Sequence, residues 1–135
     1  MPPTAPGPEL LVRPGVDVLC LGELDRLTTR PWFLRYAYSD RELGLAGALG
    51  PARRREFLAA RFAAKEAVAK ALGRGFGRGL APRHIEIDRR DDGRPEVRLI
   101  GPATAHAARV GAITVSISHK NGVAVAVALA HLRPE

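Results

Sequence analysis

Three charged side chains in this sequence have the types and the spacing that binding of a cation and a phosphate requires. Glu66 and Lys70 stand four residues apart in a segment of strong helix formers, so they lie about 40° apart on one helix face. Asp17 lies in a Val- and Leu-rich segment that we expect to form a strand beside this helix. Two carboxylates and a lysine at one locus suit a hard divalent cation together with phosphate oxygens.

An ordinary surface ion pair is the competing interpretation of Glu66 and Lys70. Glu and Lys four residues apart are common on helices and contribute only about 0.3–0.5 kcal/mol. The spacing alone favours this interpretation. The nearby carboxylate of Asp17 is the observation that favours a binding site instead.

A glycine-rich segment follows the helix. Gly73-Arg-Gly-Phe-Gly-Arg-Gly79 has a glycine at every second position, which predicts a pliable loop. Its backbone N–H groups, flanked by Arg74 and Arg78, could wrap a phosphate; a flexible connector is the alternative. The segment follows a helix and lacks both the G-x-G-x-x-G spacing and a Gly-Lys-Ser/Thr ending, so neither a dinucleotide fingerprint nor a Walker loop is predicted.

Polar residues also end a predicted strand near the C-terminus. In Ser116-Ile-Ser-His119 the two serines share a face and His119 falls beside the turn. These groups could donate hydrogen bonds to an anionic ligand, or they could be ordinary exposed residues at a sheet edge. No Ser-His-Asp elbow and no paired Cys-His spacing supports a hydrolase or a zinc site.

The elements that must position these residues are one long helix and several strands. The clearest helix covers 52–72 and consists almost entirely of strong helix formers between Pro51 and Gly73. The other predicted elements are a buried strand over 11–21, short helices over 24–28 and 31–36, a helix capped by Ser39, strands over 84–88 and 95–100 around a turn at 91–93, a short helix over 104–110, and strands over 113–118 and 123–129 joined by Asn121-Gly122. The predicted fold class is α+β, with one long helix packed on a mainly antiparallel sheet.

The composition is that of a globular protein with an anionic partner. The chain has 135 residues, of which 46% are hydrophobic and 26% charged, so wholesale disorder is excluded. The 21 Lys and Arg outnumber the 14 Asp and Glu and leave a net charge of +7. Such a charge attracts nucleic acid, an acidic membrane surface, a polyphosphate ligand or an acidic protein.

The domain organisation is simple. The proline-rich residues 1–10 predict a flexible lead-in to a single domain over 11–132. The one cysteine, Cys20, cannot form an internal disulfide, is typical of a reducing compartment and is expected to be a small buried hydrophobe. No secretory leader and no apolar run of about 20 residues is found, so we expect a soluble cytoplasmic protein.

The motifs together resemble a known family. The segments Gly15-Val-Asp17-Val, 57–73, His84-Ile-Glu-Ile, Gly93-Arg-Pro and Ser116-Ile-Ser-His119 resemble, in order, those of the holo-acyl-carrier-protein synthase group of 4′-phosphopantetheinyl transferases. The segment Arg-Phe-Ala-Ala-Lys-Glu-Ala-x-x-Lys-Ala-Leu-Gly is the most specific of them, and the resemblance spans about residues 13–130.

The resemblance implies the 4′-phosphopantetheinyl transferase fold and a Mg²⁺-dependent transfer of phosphopantetheine from coenzyme A to a carrier-protein serine, with release of adenosine 3′,5′-bisphosphate. On this basis Asp17 and Glu66 would hold Mg²⁺, and Lys70 would stabilise the phosphate charge as a third catalytic residue. The residues implied to bind the nucleotide are Arg61, Lys65, Lys70, Gly73, Gly75 and His119. Whether Glu66 or a water molecule deprotonates the serine is left open.

The resemblance also implies partners. Members of the family are usually homotrimers with active sites between subunits, and carrier proteins present acidic helices that match a charge of +7. The arginines that we expect to contact the carrier are Arg26, Arg30, Arg53, Arg54 and Arg55.

Departures from the family pattern concern the choice of carrier. Cys20 stands where a glutamate is usual, Lys120 replaces a usual Thr or Ser, and residues 37–42 replace an Ile-Leu-Thr-x-x-Glu segment. The carrier could therefore serve fatty-acid, polyketide or peptide synthesis.

Two other interpretations of the sequence remain. One is a basic nucleic-acid-binding module, which the scarcity of aromatic residues disfavours. The other is a catalytically silent relative that binds coenzyme A or a carrier.

Overall fold

A long helix packed on a three-stranded antiparallel sheet forms the centre of the computed structural model, which describes residues 11–77 and 79–134. The predicted lead-in over 1–10 lies outside the described residues. The elements in chain order are β1 (Val12–Cys20), α1 (Pro31–Ala37), α2 (Asp40–Gly47), α3 (Pro51–Ala71), β2 (Ile85–Arg89), β3 (Pro95–Leu99), β4 (Val110–Lys120) and β5 (Val123–Leu132). Short 3₁₀ segments at Leu21–Leu24, Leu27–Thr29, Pro82–His84 and Gly101–Arg109 connect them.

Small side chains let α3 lie close to the sheet. The sheet has the strand order β1-β5-β4 with antiparallel pairing throughout. Four inward positions of β5 are fully buried alanines, and alanines also fill much of the buried face of α3. Because Ala is both the best helix former and the smallest side chain that adds apolar surface, the same residues make the helix and permit its close packing.

The structure differs from the prediction in the number of sheets and in the burial of β1. Strands β2 and β3 form a separate two-stranded sheet, although the predicted turn between them is present. The strand around Asp17 was predicted to be buried, which is wrong for one face: Val16 is 53% and Val18 63% exposed. Since α3 covers only one side of β1-β5-β4, the alternate side chains of β1 point away from the core.

Several local predictions match the structure, and others need correction. The turn between β4 and β5 has left-handed backbone at both Asn121 (φ 53°) and Gly122 (φ 77°), as a two-residue hairpin turn requires. The segments 24–28 and 104–110, predicted as short helices, fall mostly in 3₁₀ segments instead, and Val110 already begins β4. Cys20 is exposed and not buried, because it falls on the uncovered face of β1.

In the part of the chain that the structure describes, no helix has both the length and the apolarity to cross a bilayer.

Candidate active site

Close backbone packing between β1 and α3 places Asp17. A Cβ atom at Gly15 would stand 2.0 Å from the carbonyl oxygen of Ala67 and 2.7 Å from the backbone nitrogen of Ala71, so only glycine fits. Asp17 is the next residue of β1 on the same face. Its side chain therefore reaches the last turn of α3, where Lys70 lies.

The carboxylate of Asp17 is paired with Lys70. Lys70 Nζ donates hydrogen bonds to Asp17 Oδ1 at 3.2 Å and to the backbone oxygen of Val16 at 2.9 Å. The Lys70 side chain is 54% exposed and that of Asp17 16%. The ammonium group is thus fixed by the strand on one side and open to a ligand on the other.

Glu66 lies one helical turn before Lys70 and shares this locus. Partial burial raises the pKa of the Glu66 carboxyl above its usual value, the neighbouring carboxylate of Asp17 raises it further, and the ammonium of Lys70 opposes both. The two carboxylates therefore interact electrostatically. A cation placed between them would remove their repulsion.

A cavity of about 330 Å³ opens beside these groups. Glu66 and Lys70 form one wall, and Gly73, Gly75 and Phe76 form part of the other. Gly73 ends the helix with a φ of 75°, which glycine adopts without strain. The first half of the predicted glycine loop therefore does line the site, whereas Arg78 lies outside the described residues.

The donor set of the site fits Mg²⁺. This ion prefers oxygen ligands and is usually held by one or two carboxylates together with waters and substrate phosphates. Asp17 and Glu66 supply two such carboxylates, and no group of three or more His, Cys, Asp or Glu residues with metal-binding geometry occurs among residues 11–77 and 79–134. Asp17 and Glu66 are therefore the residues that could hold such an ion.

Lys65 lies elsewhere, and its predicted contact with a nucleotide needs correction. Its side chain is fully buried, and Nζ donates to Glu42 Oε1 at 2.6 Å and to the backbone oxygens of Ile85 at 2.6 Å and Pro82 at 3.0 Å. Burial lowers the pKa of Lys65 to about 8 against the opposing effect of the Glu42 carboxylate. All three ammonium protons are used internally, so none is available to a ligand.

Arg61 faces away from Glu66. The two residues are five apart on α3, which separates them by about 140° around the helix. The Arg61 guanidinium stacks on Phe57 at 3.6 Å from the ring centroid, and the residue is only 6% exposed. Its Nε has no hydrogen-bond partner among the described residues. A buried, incompletely paired guanidinium is a group that an anion would satisfy.

Within one chain, His119 also lies away from Asp17. It stands opposite Ala124, whereas Asp17 lies in the row of Ala126 and Ile117. Because β4 and β1 are separated by β5, their backbones are about 10 Å apart. His119 is exposed, and Ser116 and Ser118 point to the opposite, uncovered face of the sheet.

The Glu42 network is the part of the structure that sequence analysis missed. The sequence predicted Ser39 as the cap of α2, but it did not predict the contacts that Glu42 makes beyond this helix. This glutamate completes a capping box with Ser39, accepts a hydrogen bond from the backbone nitrogen of Ile87 at 3.0 Å and pairs with Lys65. The Ser-x-x-Glu spacing is the signal that could have revealed the box.

The fold and the sequence of the chain can now be compared with those of known proteins. The model of the 4′-phosphopantetheinyl transferase superfamily matches residues 13–128. The chain therefore belongs to this superfamily, and it is an enzyme of the transferase class, as the resemblance predicted.

Within the superfamily, the chain is similar to proteins named holo-acyl-carrier-protein synthase. The chain is similar to a holo-acyl-carrier-protein synthase of an Exiguobacterium species, at 41% identity over 87% of this chain and 89% of that protein. It is similar in structure to the holo-acyl-carrier-protein synthase of Neisseria meningitidis, with a TM-score of 0.79 and 27% identity over 87% of this chain and 96% of the other.

A third similarity comes from a structure with a ligand. The Bacillus anthracis holo-acyl-carrier-protein synthase, solved in complex with CoA (3′,5′-ADP), has a TM-score of 0.75 and 30% identity over 87% of this chain and 94% of that one. The predicted fold class is thereby confirmed.

Proposed function

We propose that this protein transfers the 4′-phosphopantetheine group of coenzyme A to a serine of an apo carrier protein with the help of Mg²⁺. The serine oxygen forms a bond to the phosphorus that bears the pantetheine arm. The bond from that phosphorus to the bridging oxygen breaks, and adenosine 3′,5′-bisphosphate leaves with the electron pair. The serine proton is released to Glu66 or to water.

The observation that carries the proposal is the meeting of Asp17, Glu66 and Lys70 beside a cavity walled by Gly73 and Gly75. Phosphoryl transfer depends mainly on positioning and on neutralising charge. A diphosphate in this cavity would meet an ammonium group and two carboxylates suited to a hard cation. Relatives named holo-acyl-carrier-protein synthase, one of them solved with coenzyme A, support the choice of ligand.

Each residue has a distinct task in this proposal. Asp17 and Glu66 would hold Mg²⁺, which when bound neutralises phosphate charge and polarises phosphorus–oxygen bonds. Lys70, held by the strand at Val16, directs its free side to the phosphate whose negative charge grows as the bond breaks. Gly73 and Gly75 leave space for the ligand to approach the backbone.

We propose that the working form is a homotrimer with composite active sites. Within one chain, Arg61 and His119 lie apart from Glu66, so their proposed nucleotide contacts require a second copy. The uncovered face of β1-β5-β4 supports association, because Val16, Val18, Val127 and Leu129 are between 37% and 63% exposed. Apolar side chains that cluster on one exposed sheet face mark an interaction surface.

We propose that the carrier docks beside the start of α3. Arg26, Arg30 and Arg53 are exposed there, and the exposed Trp32 of α1 adds an apolar anchor. A positive surface with an aromatic side chain suits an acidic helix. Arg55 is less available than predicted, because both of its hydrogen bonds go to Asp25, at 2.8 and 2.9 Å.

Intact-mass spectrometry of apo carrier proteins tests the proposal. Carriers of fatty-acid, polyketide and peptide type are incubated with the protein, coenzyme A and Mg²⁺, and again with a chelator in place of the metal. We expect a phosphopantetheine mass increment on at least one carrier and its loss with the chelator. Absence of the increment on every carrier, including promiscuous acceptors, would refute the transfer. The carriers that are modified would identify the pathway. The cytoplasmic location of the protein remains a prediction.

A further inference from the structure

A second and larger cavity, of about 750 Å³, adjoins the candidate active site. Gly73 and Arg74 contribute to the walls of both cavities, whereas Glu66 and Lys70 line only the smaller one. The larger cavity therefore lies next to the proposed coenzyme A site and differs from it in most of its lining residues.

Four segments that are distant in sequence converge on this cavity. They are the start of β1, the residues after α3, the end of the 3₁₀ segment Gly101–Arg109 and the end of β5. Backbone hydrogen bonds fix the convergence: Leu132 N donates to Leu11 O at 2.7 Å, and Arg133 N donates to Arg109 O at 3.0 Å. The cavity thus belongs to the ordered frame of the fold.

Arginine dominates the polar part of the lining. Arg13, Arg74, Arg109 and Arg133 each contribute, together with His106, and no lining residue that the structure describes is acidic. In other regions arginines are neutralised, as in the contact of Arg94 with Asp92 at 2.8 Å. No ion pair with a described residue is seen for Arg13, Arg74 or Arg133.

Two glycines give these arginines their positions. A Cβ atom at Gly73 would stand 3.3 Å from a guanidinium nitrogen of Arg13, and one at Gly111 would stand 3.5 Å from Cγ and 3.9 Å from Nε of Arg133. The arginine side chains therefore lie directly over backbone that carries no side chain. This packing holds two guanidinium groups close to the cavity, one from β1 and one from the residue that follows β5.

We propose that this cavity binds a second small polyanion, a nucleotide-sized ligand that carries two or more phosphate groups, independently of the coenzyme A site. Guanidinium groups form paired hydrogen bonds with phosphate oxygens. Arg13, Arg74 and Arg133, which form no ion pair with a described residue, offer such hydrogen bonds to phosphate oxygens. The apolar side chains of Leu72 and Val110 in the wall suit a flat or apolar portion of the ligand, and the volume is typical of a small-molecule site.

Isothermal titration calorimetry of the full chain with inorganic tripolyphosphate and with ATP, at fixed ionic strength, tests this site. The variants Arg13→Gln and Arg133→Gln are compared with Arg83→Gln, which removes the same charge from an exposed position outside the cavity. We expect each cavity variant to weaken binding about tenfold and the control to leave it unchanged. We expect coenzyme A to bind equally well to all three variants.

A competition arm separates this site from the active site. Tripolyphosphate should still bind when the protein is saturated with coenzyme A. Displacement by coenzyme A would overturn the proposal, because the anion would then occupy the Lys70 cavity. Equal weakening in all three variants, or no binding of either ligand, would overturn it as well. Tighter binding of ATP than of tripolyphosphate would support a nucleotide, and equal binding would support recognition of the phosphates alone.

Discussion

Gly15 and Ala67 bring β1 and α3 into direct backbone contact, since a Cβ atom at Gly15 would stand 2.0 Å from the carbonyl oxygen of Ala67. This contact sets the distance between the strand that carries Asp17 and the helical turn that carries Lys70. The geometry of the candidate active site therefore depends on a residue that has no functional group.

The first prediction concerns Gly15→Ala. The added methyl group cannot be accommodated by a side-chain rotation, because the obstructing atoms are backbone atoms of α3. We expect the free energy of unfolding to fall by about 2–3 kcal/mol or more, measured by urea denaturation. Gly44→Ala in α2, which meets nothing within 4 Å, is the matched control and should be neutral or slightly stabilising. Equal stability of the two variants would contradict the proposed packing constraint.

The second prediction concerns Glu66→Gln. The change removes a metal-binding charge at nearly constant volume, so transfer to the carrier should fall by about a hundredfold or more while the fold is kept. The rate is measured by intact mass and the fold by thermal unfolding. Glu56→Gln, at an exposed position of the same helix, should retain full activity. Full activity of Glu66→Gln would remove this residue from the metal site.

The third prediction concerns the pH dependence that Glu66 gives to stability. Since the pKa of Glu66 is raised in the folded state, its contribution to stability is fully present below the unfolded pKa and is lost as the pH rises through the folded pKa. In metal-free protein, Glu66→Gln should therefore be more stable than wild type at pH 7, and the difference should shrink toward pH 4. A difference that is independent of pH would contradict the raised pKa.

The fourth prediction concerns the buried pair of Lys65 and Glu42. Lys65→Met leaves the Glu42 carboxylate enclosed without its partner, which should cost about 3–5 kcal/mol. The double variant Glu42→Gln with Lys65→Met should recover part of this loss, because no buried charge is left. Urea denaturation measures all three proteins, and Lys120→Met at an exposed position is the control. Unchanged stability of Lys65→Met would return Lys65 to the list of possible ligand contacts.

The fifth prediction concerns shared active sites. Glu66→Gln and His119→Ala are each expected to be inactive, but they damage different parts of a composite site. Mixed trimers, co-expressed with two tags and purified on both, should regain about one third of the wild-type activity, because one site in three is then intact. If the mixed protein is as inactive as its parents, the two residues act within one chain or the protein is not a composite oligomer.

Short sequence patterns predict much of the secondary structure. Pro51 before the long alanine-rich run and Gly73 after it predict the bounds of α3 to within about a residue, and Asn121-Gly122 predicts the turn of the β4-β5 hairpin. The division into two sheets was not predictable in this way. It depends on which strand edges meet, and no local spacing encodes that choice.

In the candidate site, too, local contacts could be predicted from the sequence and contacts between distant segments could not. The helical spacing predicts that Glu66 and Lys70 share a face, and the structure brings Asp17 to both. The burial of Lys65 was missed, because its partners are Glu42 in α2 and backbone oxygens near residues 82–85. The arginine cavity was missed for a similar reason: Arg13 and Arg133 are separated by nearly the whole chain and meet only through the pairing of β1 with β5.

The Glu42 carboxylate couples three elements of the fold to one another. It joins the start of α2, the middle of α3 and strand β2 through hydrogen bonds to Ser39, Lys65 and Ile87. Detaching any one of these elements would leave charged or polar groups inside the protein without partners, which is costly. Local opening in this region is therefore penalised until all three elements separate. Backbone amides in α2, α3 and β2 should exchange with solvent in one cooperative event.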